Sequence, residues 1–246
     1  MVAAIALSLW GARRRPARTA ALSLALGLTI LVAWVAEYVA DAVLGIWSPK
    51  HHLPLQLTDA VSLAAMLALW SRRPLIIELT YFWALTASLQ SVLTPDLAWS
   101  FPSVFYFTYF TYHGAAIVAA CLLVFGLGLH PRPGAAWRVF ACSLLVTAIA
   151  GCGDLLTGGN YMYLREKPQH PSLLDLMGPW PWYILSTAGL GLAMLLGLEA
   201  LTRVLLARID TDRARSPRPT PGKAAAAAPF RLIDRVLSGR RAPPRR

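Results

Sequence analysis

Hydroxyls on one apolar segment and a histidine deep in another are the residues of this chain that could do chemistry together. A hydroxyl is a weak nucleophile until a base takes its proton, and imidazole is the side chain whose ordinary pKa suits that task. Thr58 and Ser62 supply hydroxyls four residues apart, and His113 supplies the ring. Asp59, Asp154 or Glu37 could orient that ring, as the acid of a triad does. Spacing alone leaves this catalytic reading open beside a plainer one, in which His113 bonds a neighbouring helix. Gln56, Gln90 and Asn160 carry side chains able to stabilise an oxyanion, and nothing in the sequence singles one of them out.

These residues belong to a wider set. Residues three or four apart share a helix face, so Glu37 pairs with Asp41, Gln56 with Asp59 and Thr58 with Ser62, while Tyr106, Tyr109 and His113 continue one stripe. Ionisable groups within a bilayer are costly and are functional candidates by default. A supporting polar cluster is therefore expected from Glu37, Asp41, Gln56, Asp59, Ser62 and Gln90, joined by Asp154. Asn160, Tyr161, Trp180 and Trp182 are expected to complete it from a loop capping one outward-opening cavity. No metal site or cofactor is expected. His51, His52 and His113 lack the partner spacing of a closed metal site, and Gly158-Gly159-Asn160 reads as a helix stop rather than a phosphate loop. Cys121, Cys142 and Cys152 read as packing residues.

The elements that must position this chemistry are apolar helices. The 246 residues are 57% hydrophobic and 14% charged, too apolar for an ordinary soluble domain. Stretches 20–46, 53–71, 74–94, 102–128, 136–157 and 179–207 each approach the roughly 20 apolar residues a spanning helix needs. The expected fold is an all-α polytopic membrane protein with six transmembrane helices. Residues 1–19 form a cytoplasmic N-terminal segment, 20–207 the membrane domain, and 208–246 a basic, largely disordered cytoplasmic tail. On this topology His113 lies eleven residues into its span, about 16 Å down at 1.5 Å per residue. Glu78 is the main acidic residue at the opposite end, where it could snorkel to the interface.

A net charge of +11 raises the question of a nucleic-acid partner, and its placement argues against one. With the N-terminus inside, 20 of the 23 Lys and Arg residues fall in inner segments, and only Lys50, Arg165 and Lys167 fall outside. That is the positive-inside asymmetry of a membrane protein with both ends in the cytoplasm. Membrane lipids are then the expected partners. Phe230, Ile233, Val236 and Leu237 recur at helical spacing among arginines, which suits either a helix on anionic headgroups or a solvated basic tail. The sequence leaves the oligomeric state open.

Four segments resemble the YwaF-type bacterial integral membrane proteins: LPLQLTD at 53–59, ELTYFWALTASLQSVLTPDL at 78–97, YHG at 112–114, and TGGNYMYLREKPQHPSLLDLMGPWPWY at 157–183. The likeness covers about residues 30–205. YwaF-type proteins are in turn similar to eukaryotic transmembrane phospholipid acyltransferases that use a cysteine and a histidine. More distantly, they resemble androgen-induced membrane hydrolases that use a threonine and a histidine. The resemblance implies Thr58 as nucleophile and His113 as base, in a lipid acyl hydrolase or acyltransferase. Many YwaF-type sequences carry cysteine at the position of Thr58, which keeps the threonine-hydrolase analogy open and also allows a member that has lost activity. A non-enzymatic transporter or binding protein for lipids or small ligands is the alternative, although no internal repeat is visible.

Overall fold

Proline, glycine and serine set the helix ends. In this computed structural model, which describes residues 16–95, 97, 99–168 and 172–215, Pro74 opens a helix two residues after Arg72, whose left-handed backbone closes the preceding one. Ser103 caps another by accepting the Phe105 N–H through its side chain. Gly134 and Gly158 take up positive φ at either end of a third, and the Gly158 N–H returns to the Asp154 carbonyl. The resulting elements are α1 (Pro16–Val43), α2 (Leu57–Ser71), α3 (Pro74–Leu93), α4 (Val104–Gly126), α5 (Ala135–Thr157) and α6 (Trp182–Arg215). No strand occurs among the described residues.

Five helices are long and apolar enough to cross a membrane: Thr19–Val43, α3, α4, α5 and Trp182–Arg208. The chain is thus a multi-pass helical membrane protein. The sixth apolar stretch is the shorter α2, with 15 residues. The chain divides into two units, Met1–Ala200 and Leu201–Arg246. The described part of the second is residues 201–215, the end of α6, which runs past the sequence-expected limit at 207 because Arg and Ala are good helix formers outside the apolar stretch. The candidate surface helix around Phe230 and the basic N-terminal cluster lie outside the described residues.

Within the first unit α4 is central and packs against α1, α2 and α3. Small residues make this close approach possible: Ala65, Ala68, Ala116, Ala119 and Ala120 are fully buried. Val32, Leu145, Leu155 and Leu156 on the outward faces are exposed, as apolar residues facing lipid must be. Both α3 and α4 contain a widened turn. The Leu89 N–H reaches back five residues to Ala84 O, and Leu127 N–H to Leu122 O. Such π-turns locally redirect side chains.

The two ends of the unit are built differently. At one end, Glu78 of α3 is 1% exposed and holds both Arg132 and Arg138. Its Oε1 accepts from Arg132 Nε at 2.8 Å and Arg138 Nη2 at 2.9 Å, and its Oε2 from Arg138 Nε at 3.0 Å. Glu78 is therefore buried and doubly paired rather than snorkelling free. Glu199 caps the start of α5 beside it, accepting the Gly134 and Ala136 N–H groups at 2.8 and 2.9 Å. At the other end sits the segment between α5 and α6, described below.

Candidate functional site

The expected supporting residues separate into three groups. The first pins α2 to α1. Asp59 Oδ1 accepts from Trp34 Nε1 at 2.9 Å and Tyr38 hydroxyl at 3.2 Å, and its Oδ2 accepts the Gln56 backbone N–H at 3.0 Å. The last bond is half of a capping box, with an acid at the third helical position serving the residue before the helix. Asp59 is occupied on both oxygens by structure, and its partners Trp34 and Tyr38 escaped the sequence reading. Their signal was present, because they share a four-residue spacing with each other and flank Glu37.

The second group surrounds the histidine. His113 is 1% exposed, its ring packed between Tyr109 and Tyr112 with centroids 4.4 and 4.5 Å away. Its Nδ1 is buried and meets no hydrogen-bond partner. Glu37 accepts the Thr108 hydroxyl at 3.2 Å. Tyr112 lies within electrostatic range of Glu37, Asp59 and Tyr38, which joins this group to the first. Ser62 donates to the Thr58 carbonyl at 3.1 Å, a bond within its own helix. Thr58 is half-buried, and among the described residues no hydrogen bond links its hydroxyl to His113.

The third group is the loop that closes this end. Tyr161 is 1% exposed and works as a latch: its hydroxyl donates to Pro49 O at 2.7 Å and accepts the Leu53 N–H at 2.8 Å. Its own N–H reaches Asp154 Oδ1 at 2.6 Å, and the neighbouring Met162 N–H reaches Gln56 Oε1 at 2.9 Å. Burial pushes the Tyr161 phenol up from its ordinary value, so the hydroxyl stays protonated. The approach is close enough to need glycine. A Cβ on Gly159 would lie 2.6 Å from Lys50 O. Met162 and Tyr163 follow with positive φ of 54° and 56°, costly for non-glycine residues and held by these contacts. Asn160 organises the return of the loop, accepting from the Arg165 and Glu166 N–H groups.

The remaining candidates lie elsewhere. Asp41 is buried beside His52, whose Nε2 stands 3.6 Å from Oδ1. Gln90 is exposed and bonds Thr94 on its own helix. Trp180 and Trp182 are 61% and 62% exposed, as interfacial tryptophans are, and Trp180 joins the loop group by donating its indole N–H to Leu164 O at 3.1 Å. None of the three cavities described takes in Asp59 or His113: two lie beneath and beside the loop, and a third runs along α1 and α4 past Thr108.

A model of the TMEM164 family matches residues 1–198, the whole first unit up to its last turn. The chain belongs to the TMEM164 family. A TMEM164-type chain of this length is also similar to an uncharacterized protein of Treponema pallidum (strain Nichols), 27% identical over 146 residues. That alignment covers 58% of this chain and 59% of the relative, so the chain spans about three fifths of the relative's length. No solved structure matches.

Proposed function

We propose that this protein is a lipid acyl hydrolase or acyltransferase of the bacterial inner membrane, with Thr58 as nucleophile and His113 as general base. The observation that carries the reading is the His113 Nδ1, which sits inside the bundle with no partner. Most buried polar side-chain atoms are hydrogen-bonded, and among the described residues His113 Nδ1 shares its lack of a partner with only Ser23 Oγ, Ser88 Oγ and Asp154 Oδ2. The start of α2 adds to it. The Leu57 and Thr58 N–H groups have no protein acceptor among the described residues, and they lie at the positive end of the helix. Two backbone donors beside a hydroxyl are what an oxyanion hole requires. The likeness to YwaF-type proteins and their acyltransferase and threonine-hydrolase relatives supports the same pair.

In this reading α2 is a sixth span. Its 15 residues give about 22 Å of helix at 1.5 Å each, and Arg72 and Arg73 extend it toward the headgroups. Six spans and the charge asymmetry put both ends of the chain in the cytoplasm and the Tyr161 loop outside. Membrane lipids are the partners, with the basic tail resting on anionic headgroups.

The test is an activity-based hydrolase probe on the purified protein. Thr58→Ala abolishes labelling, and His113→Ala lowers its rate by on the order of 10²-fold or more. Labelling unchanged in both variants refutes the assignment. A lipid-binding or transporting protein without catalysis is the second reading. It is favoured by the absence of a Thr58 to His113 hydrogen bond, and it predicts lipid uptake or exchange that survives Thr58→Ala.

A further inference from the structure

A cavity of about 380 Å³ runs between α3, α5 and α6 under the Tyr161 loop. Leu57, Met162 and Tyr163 stand at its loop end, and Phe140 and Leu195 mark its far reach. Its wall along α6 extends from Tyr183 to Leu195. That is about 18 Å at 1.5 Å per residue, close to the roughly 15 Å of hydrocarbon in one leaflet.

Apart from the Thr147 hydroxyl, the polar groups of the wall are largely spent on the protein itself. Thr86 donates to Phe82 O, Ser143 to Val139 O and Thr187 to Tyr183 O, all on their own helices. Trp83 donates to Ser143, and the Tyr183 hydroxyl is taken by Tyr163 O. A polar ligand would find few free partners here. A groove of this length with so apolar a wall suits a single unbranched chain.

The loop end of the groove is polar. Tyr163 borders both the groove and a second recess of about 250 Å³, lined also by Lys50, Lys167, Gln56 and Glu166. Glu166 makes the recess electrically mixed, and Lys167 stands 4.0 Å from Asp175 and 5.6 Å over the Tyr183 ring, so a phosphate would share Lys167 with that loose pair and take Lys50 as its second cation. We infer that the groove holds one acyl chain of a membrane phospholipid, with the headgroup phosphate at Lys50 and Lys167. The inference rests on the proposed acyl chemistry for its purpose: Leu57 borders the groove at the start of α2, and Thr58 follows it on the adjoining face of the helix, outside the lining.

The experiment uses the full chain in nanodiscs containing a phosphatidylglycerol with a diazirine near the end of one acyl chain, with crosslinks mapped by mass spectrometry. Labelling is expected on the 188–195 and 140–147 segments. A Cβ added at Gly191 meets open space, so a side chain can start there, and Gly191→Trp places an indole at the groove wall. It should lower that labelling by about tenfold, what losing the burial of two methylene groups amounts to, and leave labelling of lipid-facing Val32 and Val35 unchanged. If Gly191→Trp does not fold, Gly191→Leu carries the same expectation. Lys50→Gln with Lys167→Gln should weaken labelling by the phospholipid and not by a matching diacylglycerol probe. Equal groove labelling in wild type and both Gly191 variants overturns the chain site, and equal weakening with both probes overturns the phosphate placement. The outcomes separate from the enzyme reading. Thr58-dependent turnover with a groove indifferent to Gly191→Trp sinks the groove alone, while a labelled groove with ester turnover indifferent to Thr58→Ala sinks the enzyme alone.

Discussion

Replacing Tyr161 by Phe removes one oxygen and asks how firmly the loop is latched. That oxygen serves two backbone groups, Pro49 O at 2.7 Å and Leu53 N–H at 2.8 Å, and the residue is 1% exposed. Leaving a buried backbone group unsatisfied costs about 1–3 kcal/mol. The first loop is partly open to solvent, so water recovers some of this and a net cost of about 2 kcal/mol is expected for the pair. If the loop opens locally and closes faster than it is cut, that cost raises the open population by about 30-fold. Trypsin cleavage after Arg165 in the folded, detergent-solubilised protein measures it. The wild type should be cut slowly and Tyr161→Phe about 30-fold faster, with little change in helix content. A change below threefold would mean that the loop is held by something other than this hydroxyl. The phenol also carries a pH signature. Burial raises it above its ordinary value near 10, so its contribution is complete below that pH and is lost as pH rises through the raised value. Wild-type loop cleavage by an alkali-active protease should therefore accelerate toward high pH, and Tyr161→Phe should show no such acceleration.

Gly159→Ala and Gly153→Ala test the same closure from its backbone. The added Cβ at Gly159 meets Lys50 O at 2.6 Å, so the loops must part, and cleavage after Arg165 should rise at least tenfold. At Gly153 the closest atom, at 2.3 Å, is the tip of the Leu55 side chain, which can turn away, and the effect should stay within about threefold. At the opposite end, Glu78→Gln weakens bonds to two arginines. Both are partly solvated, at 50% and 36% side-chain exposure, so the loss should fall at the low end for a broken buried pair, about 3 kcal/mol. Thermal denaturation in detergent should show a drop of about 6–12 °C. A drop under 2 °C would show that the Arg132 to Arg138 segment is held mainly by Glu199.

The helices were legible because bilayer thickness imposes length and composition on a sequence. Boundaries at 71, 74 and 157 could be read to the residue from Arg-Pro and Gly-Gly punctuation. The α1 limit was harder, since Leu44 and Ile46 continue the apolar run while the chain has already turned at Gly45, φ 67°. Polarity was legible as a list and not as an arrangement. Asp59 and Asp154 look alike in sequence, yet one is taken by two aromatic donors from α1 and the other by the amide of Tyr161. Partners across helices depend on rotation about each axis, and a stripe of small residues on α4 does not fix that angle. The apolar groove was invisible for a related reason. Its lining is Leu, Phe, Gly and back-bonded Thr, a composition shared with any lipid-facing surface.

On the proposed six-span topology the short α2 has a consequence for the bilayer itself. As a span of about 22 Å it would fall roughly 8 Å short of the usual hydrocarbon thickness. The reach of Arg72 and Arg73 would compensate at their end, leaving the shortfall on the side of Thr58. Membranes accommodate a short span by thinning. Lipids next to α2 would ride lower there than elsewhere, bringing ester linkages down to a hydroxyl that a flat bilayer would leave among acyl tails.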